Sequence, residues 1–324
     1  AAVLDFNHMR QDGLNHSSNS QLVRRAKSHD TDWKQQHGPK NLLEDYDVDR
    51  VICKTLQGSV VLMREKQSGK LFAVKIALKR LVDRGMAANG VRICENICNE
   101  AKILRSLAAM PSSQNIIQYH DQREDDERHI LIMEFAGCGE LFDWIKERGV
   151  IANDRAVVIF RGLTNALTII HGRQICHLDL SLENILLMAD QTPKICDFGL
   201  ARSFQDGVKF RGDPTSRPGK LSYMSPEVYA GDGFYGPAAD IWSLGIILFI
   251  IVFGFPPFEV ASPSDVRYEF MARHGLAALL TEWGLRHRVS EQCLDLITSM
   301  LRPQCSRITL PNVLAHPWLR STKK

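Results

Sequence analysis

The chain has 324 residues, 44% hydrophobic and 24% charged, the proportions of an ordinary globular protein. Its 40 Lys and Arg against 37 Asp and Glu leave a formal charge of +3, which excludes the basic excess of a nucleic-acid-binding domain and the acidic block of a tail. Its eight cysteines contain no CxxC pair, which excludes a zinc ribbon, argues against a small disulfide scaffold and fits a reduced, cytoplasmic or otherwise intracellular setting. The length suits one large domain or two smaller ones. The chain starts without a signal peptide and without Met, as expected of a fragment or a processed chain.

Residues 1–45 are rich in Asn, Ser, His, Gln and Lys and show no steady period, so a flexible extension is expected. Within it, Arg24, Arg25 and Ser28 form a basic stretch ending in a hydroxyl, either a phosphorylation site or part of a solvated tail. From Tyr46 the residues favour strands: Val51 and Ile52, Val60 to Leu62, then Leu71 to Val74 and Ile76, with a turn at Lys66-Gln67-Ser68-Gly69. A helix is expected near 91–107, where Ile93, Ile97, Ile103, Leu104 and Leu107 share one side. Cys94 and Cys98 share a face of it, with no His placed to complete a metal site. Ile116-Ile117 and Ile130 to Phe135 read as further strands.

After Gly137 the pattern becomes helical. Asn153 or Asp154 is the candidate cap of a helix that Gly172 ends, Ser290 caps another through Leu301, and Thr309 begins a short one stopped at His316-Pro317. Leu244 to Phe255 is apolar but shorter than the about 20 residues a bilayer core needs, so a buried helix ended by Pro256-Pro257 is expected, and no membrane span. The expected fold class is α+β: a β-rich lobe, then a larger helical lobe, with a cleft between them for a ligand.

Two segments carry chemistry: His177-Leu178-Asp179-Leu180-Ser181-Leu182-Glu183-Asn184 and Asp197-Phe198-Gly199. Phosphoryl transfer needs hard oxygens around Mg²⁺ and a carboxylate beside the attacking hydroxyl. Asp179, Asn184 and Asp197 offer these. With these motifs the chain resembles the eukaryotic protein kinases, from about Tyr46 to Leu319. HLDLSLEN resembles the H-R-D-x-x-x-x-N catalytic loop, and DFG matches letter for letter. Phe72-Ala73-Val74-Lys75-Ile76 resembles the V-A-I-K strand and Ser225-Pro226-Glu227 the A-P-E motif. Asp240 to Gly245, Arg307 and His316 to Leu319 resemble the later landmarks.

The resemblance implies a two-lobed protein kinase-like fold: residues 46–136 as N-lobe and hinge, 137–319 as C-lobe, 320–324 as a tail. It also implies roles. Asp179 is the catalytic base, Asn184 and Asp197 hold Mg²⁺, and Lys75 meets the α and β phosphates of ATP. Glu100 is the partner of Lys75, with Glu95 the alternative. The 25-residue gap from Lys75 to Glu100 is long for the family and implies an insertion near Gly85 to Gly90. Met133 is the gatekeeper, the backbones of Glu134 and Ala136 meet adenine, and Val60, Ala73 and Leu186 sandwich the purine. Glu140 reaches the ribose or a basic substrate residue. Glu227 and Arg307 form a buried structural pair, and Asp240 braces the loop near His177.

The sequence departs from the family at four points. The phosphate-covering loop reads Cys53-Lys54-Thr55-Leu56-Gln57-Gly58, where only Gly58 survives of three glycines, so weakened or altered ATP affinity is expected. Leu178 replaces the Arg that pairs with an activation-loop phosphate, so a phosphate at Thr215 or Ser216 needs another cation. Ser181 replaces a Lys that neutralises the γ-phosphate. Lys220 stands where the family has Thr, and either places its ammonium beside Asp179 or is a solvated loop lysine. Gly139 to Ile145 and His-Pro-Trp-Leu resemble the calcium/calmodulin-dependent serine/threonine kinases. The reading is a kinase transferring the ATP γ-phosphate to protein Ser/Thr hydroxyls; the alternatives are a pseudokinase scaffold and a small-molecule kinase of the same fold.

Overall fold

The computed structural model describes residues 40–110, 113–213 and 217–320. Arg24, Arg25, Ser28, Thr215 and Ser216 lie outside the described residues. The chain divides into two compact units, one ending at Gly137 and the other beginning at Cys138.

The N-terminal unit contains, in order, α1 (Lys40–Asp45), β1 (Tyr46–Lys54), β2 (Gly58–Glu65), β3 (Leu71–Leu78), α2 (Lys79–Val82), α3 (Ile97–Ala108), β4 (Tyr119–Glu124) and β5 (Arg128–Glu134). The strands form one antiparallel sheet in the order β1-β2-β3-β5-β4. Strand alternation gives its two faces different work. Phe72, Val74 and Ile76 join Val61, Met63, Ile130, Ile132, Leu42 and Tyr46 in one apolar core. Each such side chain contributes about 1.5–3 kcal/mol by leaving water. Ala73 and Lys75 point the other way. Lys75 lies opposite Val60, and Ala73 opposite Met133, so these four residues share the second face.

Three expectations for this unit need correction. The helix begins at Ile97, not near residue 91, because Asn96 caps it: its side chain accepts from the amides of Cys98 at 2.9 Å and Asn99 at 3.0 Å. Cys94 therefore lies outside the helix and shares no face with Cys98. Ile116 and Ile117 are buried but belong to no strand; the strand is the following Tyr119–Glu124, whose alternating exposure suits a sheet edge.

The C-terminal unit contains α4 (Leu141–Arg148), α5 (Asn153–Gly172), β6 (Ile175–Cys176), β7 (Ile185–Leu187), β8 (Pro193–Ile195), β9 (Arg202–Ser203), α6 (Pro226–Ala230), α7 (Gly236–Phe253), α8 (Val266–His274), α9 (Leu276–Glu282), α10 (Glu291–Met300), α11 (Leu310–Ala315) and α12 (Pro317–Arg320). Two short antiparallel pairs, β6 with β9 and β7 with β8, carry the loops between these helices.

Helix α7 has 18 residues and a mean hydropathy of 2.0, long and apolar enough to cross a membrane by length and composition. It is apolar all round because it is the buried axis of the unit. It is longer than the apolar stretch predicted, starting at Gly236 with Pro237 in its first turn. It ends ahead of the prolines, where Gly254 turns left-handed at φ 87°. Helix α5 is preceded by Ala152 without a side-chain cap; Asn153 instead accepts from the Trp318 indole at 3.1 Å. Ser290 caps α10 as expected, accepting from the Cys293 amide. Thr309 precedes α11 without a side-chain bond; α11 ends at His316 as expected, and the separate short α12 follows.

Arg307 ties α6 to the end of this unit. Its guanidinium donates to both Glu227 oxygens at 2.7 and 3.0 Å and to the Ala238 carbonyl. It also lies over the Trp242 ring. Removing one partner of a buried pair strands the other charge. Arg307→Ala is expected to cost about 3–5 kcal/mol in urea unfolding; a loss under about 1 kcal/mol would show the pair to be a surface-type contact.

Candidate active site

In the N-terminal unit, the turn from β1 to β2 is Thr55-Leu56-Gln57. A Cβ at Gly58 would collide with the Ile76 carbonyl, so the one surviving glycine serves the close approach of β2 to β3. The turn is held from the side by residues 83–96, which form a loop closed by a Met86–Arg92 bridge where the insertion was expected. Ala88 donates to the Leu56 carbonyl at 2.8 Å, and buried Gln57 donates to the Met86 carbonyl at 3.2 Å. Hydrogen bonds thus restrain a turn that lacks the other two glycines. Nothing in the sequence pattern signals this tether.

The same loop delivers Glu95. The Lys75 ammonium donates to Glu100 at 2.8 Å and to Glu95 at 3.0 Å. Lys75 and Glu100 are buried, whereas the Glu95 side chain is 21% exposed. Both candidates of the sequence reading are therefore partners. On the same sheet face, Met133 is buried and Val60 and Ala73 are partly exposed. The Glu134 amide is committed to the Gln118 carbonyl and its carboxylate to the Gln118 amide. Ala136 is buried.

In the C-terminal unit, register opposes Ile185 to Ile195. This sets Asn184 against Cys196, whose amide donates to the Asn184 carbonyl at 3.0 Å, with Asp197 the next residue. The Asn184 side-chain amide donates to the Asp179 carboxylate at 2.8 Å and to its carbonyl at 2.7 Å. Asp197 adopts φ 60° and Leu178 φ 63°, left-handed values that non-glycine residues rarely hold. The loop is fixed from below by Asp240 of α7, whose oxygens accept from the amides of His177 and Leu178, both at 2.9 Å. His177 Nε2 reaches the Cys196 carbonyl, and its ring packs on Phe198 of the DFG segment. Leu186 is partly exposed, and its strand bridges Glu140.

Leu178 is buried in an apolar cluster with Cys176, Met224, Val228, Phe234 and Ala239, packed by Phe204 and Phe210 of the activation segment. At this position the segment is held by apolar packing, and Leu178 offers a phosphate nothing. Arg217 stacks on the Tyr229 ring.

Lys220 follows Gly219, whose φ of 86° would strain any other residue and whose Cβ position is 2.7 Å from the Leu178 carbonyl and 3.4 Å from Asp179 Oδ1. The ammonium donates to the Ser181 hydroxyl at 2.7 Å and lies 3.7 Å from Glu183 Oε2. Glu183 was not singled out from sequence; its place beside Asn184 in the loop motif was the available signal. Asp179 Oδ1 is buried and, among the described residues, accepts no hydrogen bond. Burial raises the Asp179 pKa above the ordinary carboxylate value and Asp197 adds to this, while Lys220, His177 and the Asn184 bond act against it. Burial, with Asp143 and Glu183, raises Glu140 to about 7, against Lys220.

The protein kinase domain profile matches residues 46–319, and the chain belongs to the protein kinase family, whose members are ATP-dependent phosphotransferases. Its relatives are serine/threonine kinases of the calcium-dependent and SNF-related kind. The rice kinase SAPK9 is 34% identical over 81% of this chain and 68% of its own length. The rat SNF-related serine/threonine-protein kinase is 32% identical over 85% of this chain, and rice calcium-dependent protein kinase 8 is 34% identical over 82%. The chain spans only 34% of that rat protein and 47% of the second rice protein.

Two carboxylates on one ammonium should be energetically coupled. Glu95→Gln or Glu100→Gln alone leaves a partner for Lys75, and the double substitution leaves none of the two. The double variant is expected to lose more stability than the sum of the singles, by about 0.5–3 kcal/mol in a double-mutant cycle. Strict additivity would show that they do not share Lys75.

Proposed function

We propose that this chain is an active protein kinase that moves the γ-phosphate of ATP to a Ser or Thr hydroxyl of a protein carrying a basic residue near that hydroxyl. The observation that carries the reading is the Asp179 carboxylate: one oxygen is fixed by Asn184, and the other is buried and, among the described residues, has no hydrogen-bond partner. An orphaned buried acceptor is costly unless a ligand donor meets it. The hydroxyl of a substrate is such a donor.

The donor set also suits Mg²⁺. The Asn184 amide nitrogen is committed to Asp179, which leaves its carbonyl oxygen as a hard ligand with the Asp197 carboxylate. Asn184 and Asp197 would hold the ion, which neutralises phosphate charge when bound. Lys75, held by Glu100 and Glu95, would take the α and β phosphates. Val60, Ala73, Met133 and Leu186 would face adenine, and the carbonyl of Glu134 and the backbone of Ala136 would bond its edge.

During transfer the acceptor oxygen bonds the γ-phosphorus while the bond from that phosphorus to the β–γ bridging oxygen breaks. ADP leaves with the electron pair, and the hydroxyl proton passes to Asp179. Burial of Asp179 raises its basicity and so favours that proton transfer. Glu140 and Glu183, both near Lys220, offer carboxylates to a basic substrate residue. The pseudokinase alternative draws on the altered phosphate turn, but the tethers from Ala88 and Gln57 answer the loss of glycines with order.

Transfer of radiolabelled γ-phosphate to a basic peptide with Mg²⁺ is expected, and Asp179→Asn, Asp197→Ala and Lys75→Met should each remove it. Nucleotide binding without transfer in the unsubstituted chain would sink the reading in favour of a scaffold. The substrate assignment has its own pH signature. Glu140 is neutral below about 7 and charged above it, so the KM for an Arg-containing peptide should fall as pH rises from 6 to 8. The expected change is up to about fivefold, the worth of a pair near 1 kcal/mol. Glu140→Gln should flatten that dependence; a KM that rises with pH would refute the assignment.

A further inference from the structure

Between His177 and Asn184 the catalytic loop carries two carboxylates, Asp179 and Glu183, and neither Lys nor Arg. A phosphoryl group in transfer spreads negative charge over its three equatorial oxygens. Asp179 is thus surrounded by like charge at the moment of reaction, and a fixed cation there stabilises the transition state more than the ground state. The activation segment places one in this volume. Gly219 presses against the backbone of Leu178 and against Asp179, closely enough to exclude a side chain of its own. The next residue, Lys220, sets its ammonium 2.7 Å from Ser181 Oγ.

Ser181 is fully buried, so the ammonium rests on the floor of the loop, whereas the Lys220 side chain keeps 38% of its surface open. Its ion pair with Glu183 is loose, at 3.7 Å. An ammonium has three donors, and the Ser181 bond takes one. Position 181 is small, and its hydroxyl accepts from the ammonium: the two residues fit as a hydroxyl seat and a cation.

We propose that Lys220 is a catalytic cation of the phosphoryl transfer, carried by the activation segment and seated on Ser181, where its ammonium meets the γ-phosphoryl oxygens as the group moves to the acceptor hydroxyl. This rests on the kinase reading above and adds a residue to it. Lys220 remains an ammonium throughout. The bond made is from the acceptor oxygen to phosphorus, the bond broken is to the bridging oxygen of ADP, and the proton goes to Asp179; Lys220 gives up no proton or electron pair. Lysine suits the task as a compact charge on a flexible stem.

The test is to move the charge back across the contact. Lys220→Met, Lys220→Thr and the exchange variant Ser181→Lys/Lys220→Thr are compared with the unsubstituted chain for kcat and KM on a basic peptide. Thermal melts and binding of a fluorescent ATP analogue accompany the kinetics. The single variants are expected to lose about 10²–10³ in kcat, the range seen on removing a transition-state donor, with nucleotide affinity changed less than about threefold. The exchange variant is expected to regain about tenfold or more over Lys220→Thr, because its ammonium enters the same volume from the other side.

A Lys220→Thr protein with unaltered kcat overturns the proposal. So does an exchange variant that melts normally and regains nothing, since Lys220 then acts only by holding Ser181 and Glu183 in place. Should the exchange variant melt below the assay temperature, Lys220→Arg decides. It keeps the charge, so kcat within about tenfold of the unsubstituted chain supports the proposal, and kcat as low as that of Lys220→Thr overturns it. An unsubstituted chain with no transfer at all sinks the kinase reading and this inference together, whereas an active chain indifferent to Lys220 sinks this inference alone.

Discussion

A carboxylate with almost no access to water holds the C-terminal unit's reactive loop in shape. Asp240 is 1% exposed, a position where an ionised side chain is costly unless it is surrounded by donors. It receives the amides of His177 and Leu178, with His171 Nε2 2.9 Å from one of its oxygens. Those amides are available because Leu178 turns left-handed, a conformation costing on the order of 1–3 kcal/mol. The strain and the buried charge offset one another. Their common product is that the next residue, Asp179, projects toward Asn184. Asp197, which is also left-handed, lies one position past Cys196, which pairs with Asn184.

The chain reaches the architecture of its family with a different distribution of polar and apolar contacts. Leu178 sends its side chain into an apolar cluster that includes the activation segment's Phe204 and Phe210. Contacts of that kind are not weakened by charge screening, unlike surface ion pairs. A lysine sits on Ser181 from the activation segment. In the N-terminal unit, hydrogen bonds from the 83–96 loop restrain the turn before Gly58, and Glu95 of that loop joins Glu100 on Lys75. At each of these departures the folded chain makes a contact of its own.

Much of this was legible beforehand. The strands around Phe72 to Ile76 follow from alternation and β-branched residues, and the buried α7 from its unbroken apolar run. Asp179, Asn184 and Asp197 follow from motif spacing. The errors have identifiable causes. Apolar spacing over 91–107 could not show that the Asn96 side chain would take the first amides of the helix and end the preceding loop. Ile116-Ile117 read as a strand because they are apolar, but the edge strand beside them is polar and earns its place by pairing with β5. Asn153 has the chemistry of a cap, yet the Trp318 indole, 165 residues away, claims its oxygen.

What the sequence by itself determined is the kinase family and the identity of the residues bearing charge and hard oxygens, because those rest on residue type and order along the chain. What only the tertiary structure decided is which charges meet. Spacing left Glu95 and Glu100 as rivals for Lys75, and the folded chain gives it both. Spacing left Lys220 between solvent and the loop, and close packing of Gly219 against Leu178 directs it onto Ser181. The physical reason is that electrostatic partners are set by distance and burial, and both come from long-range packing that no local pattern encodes.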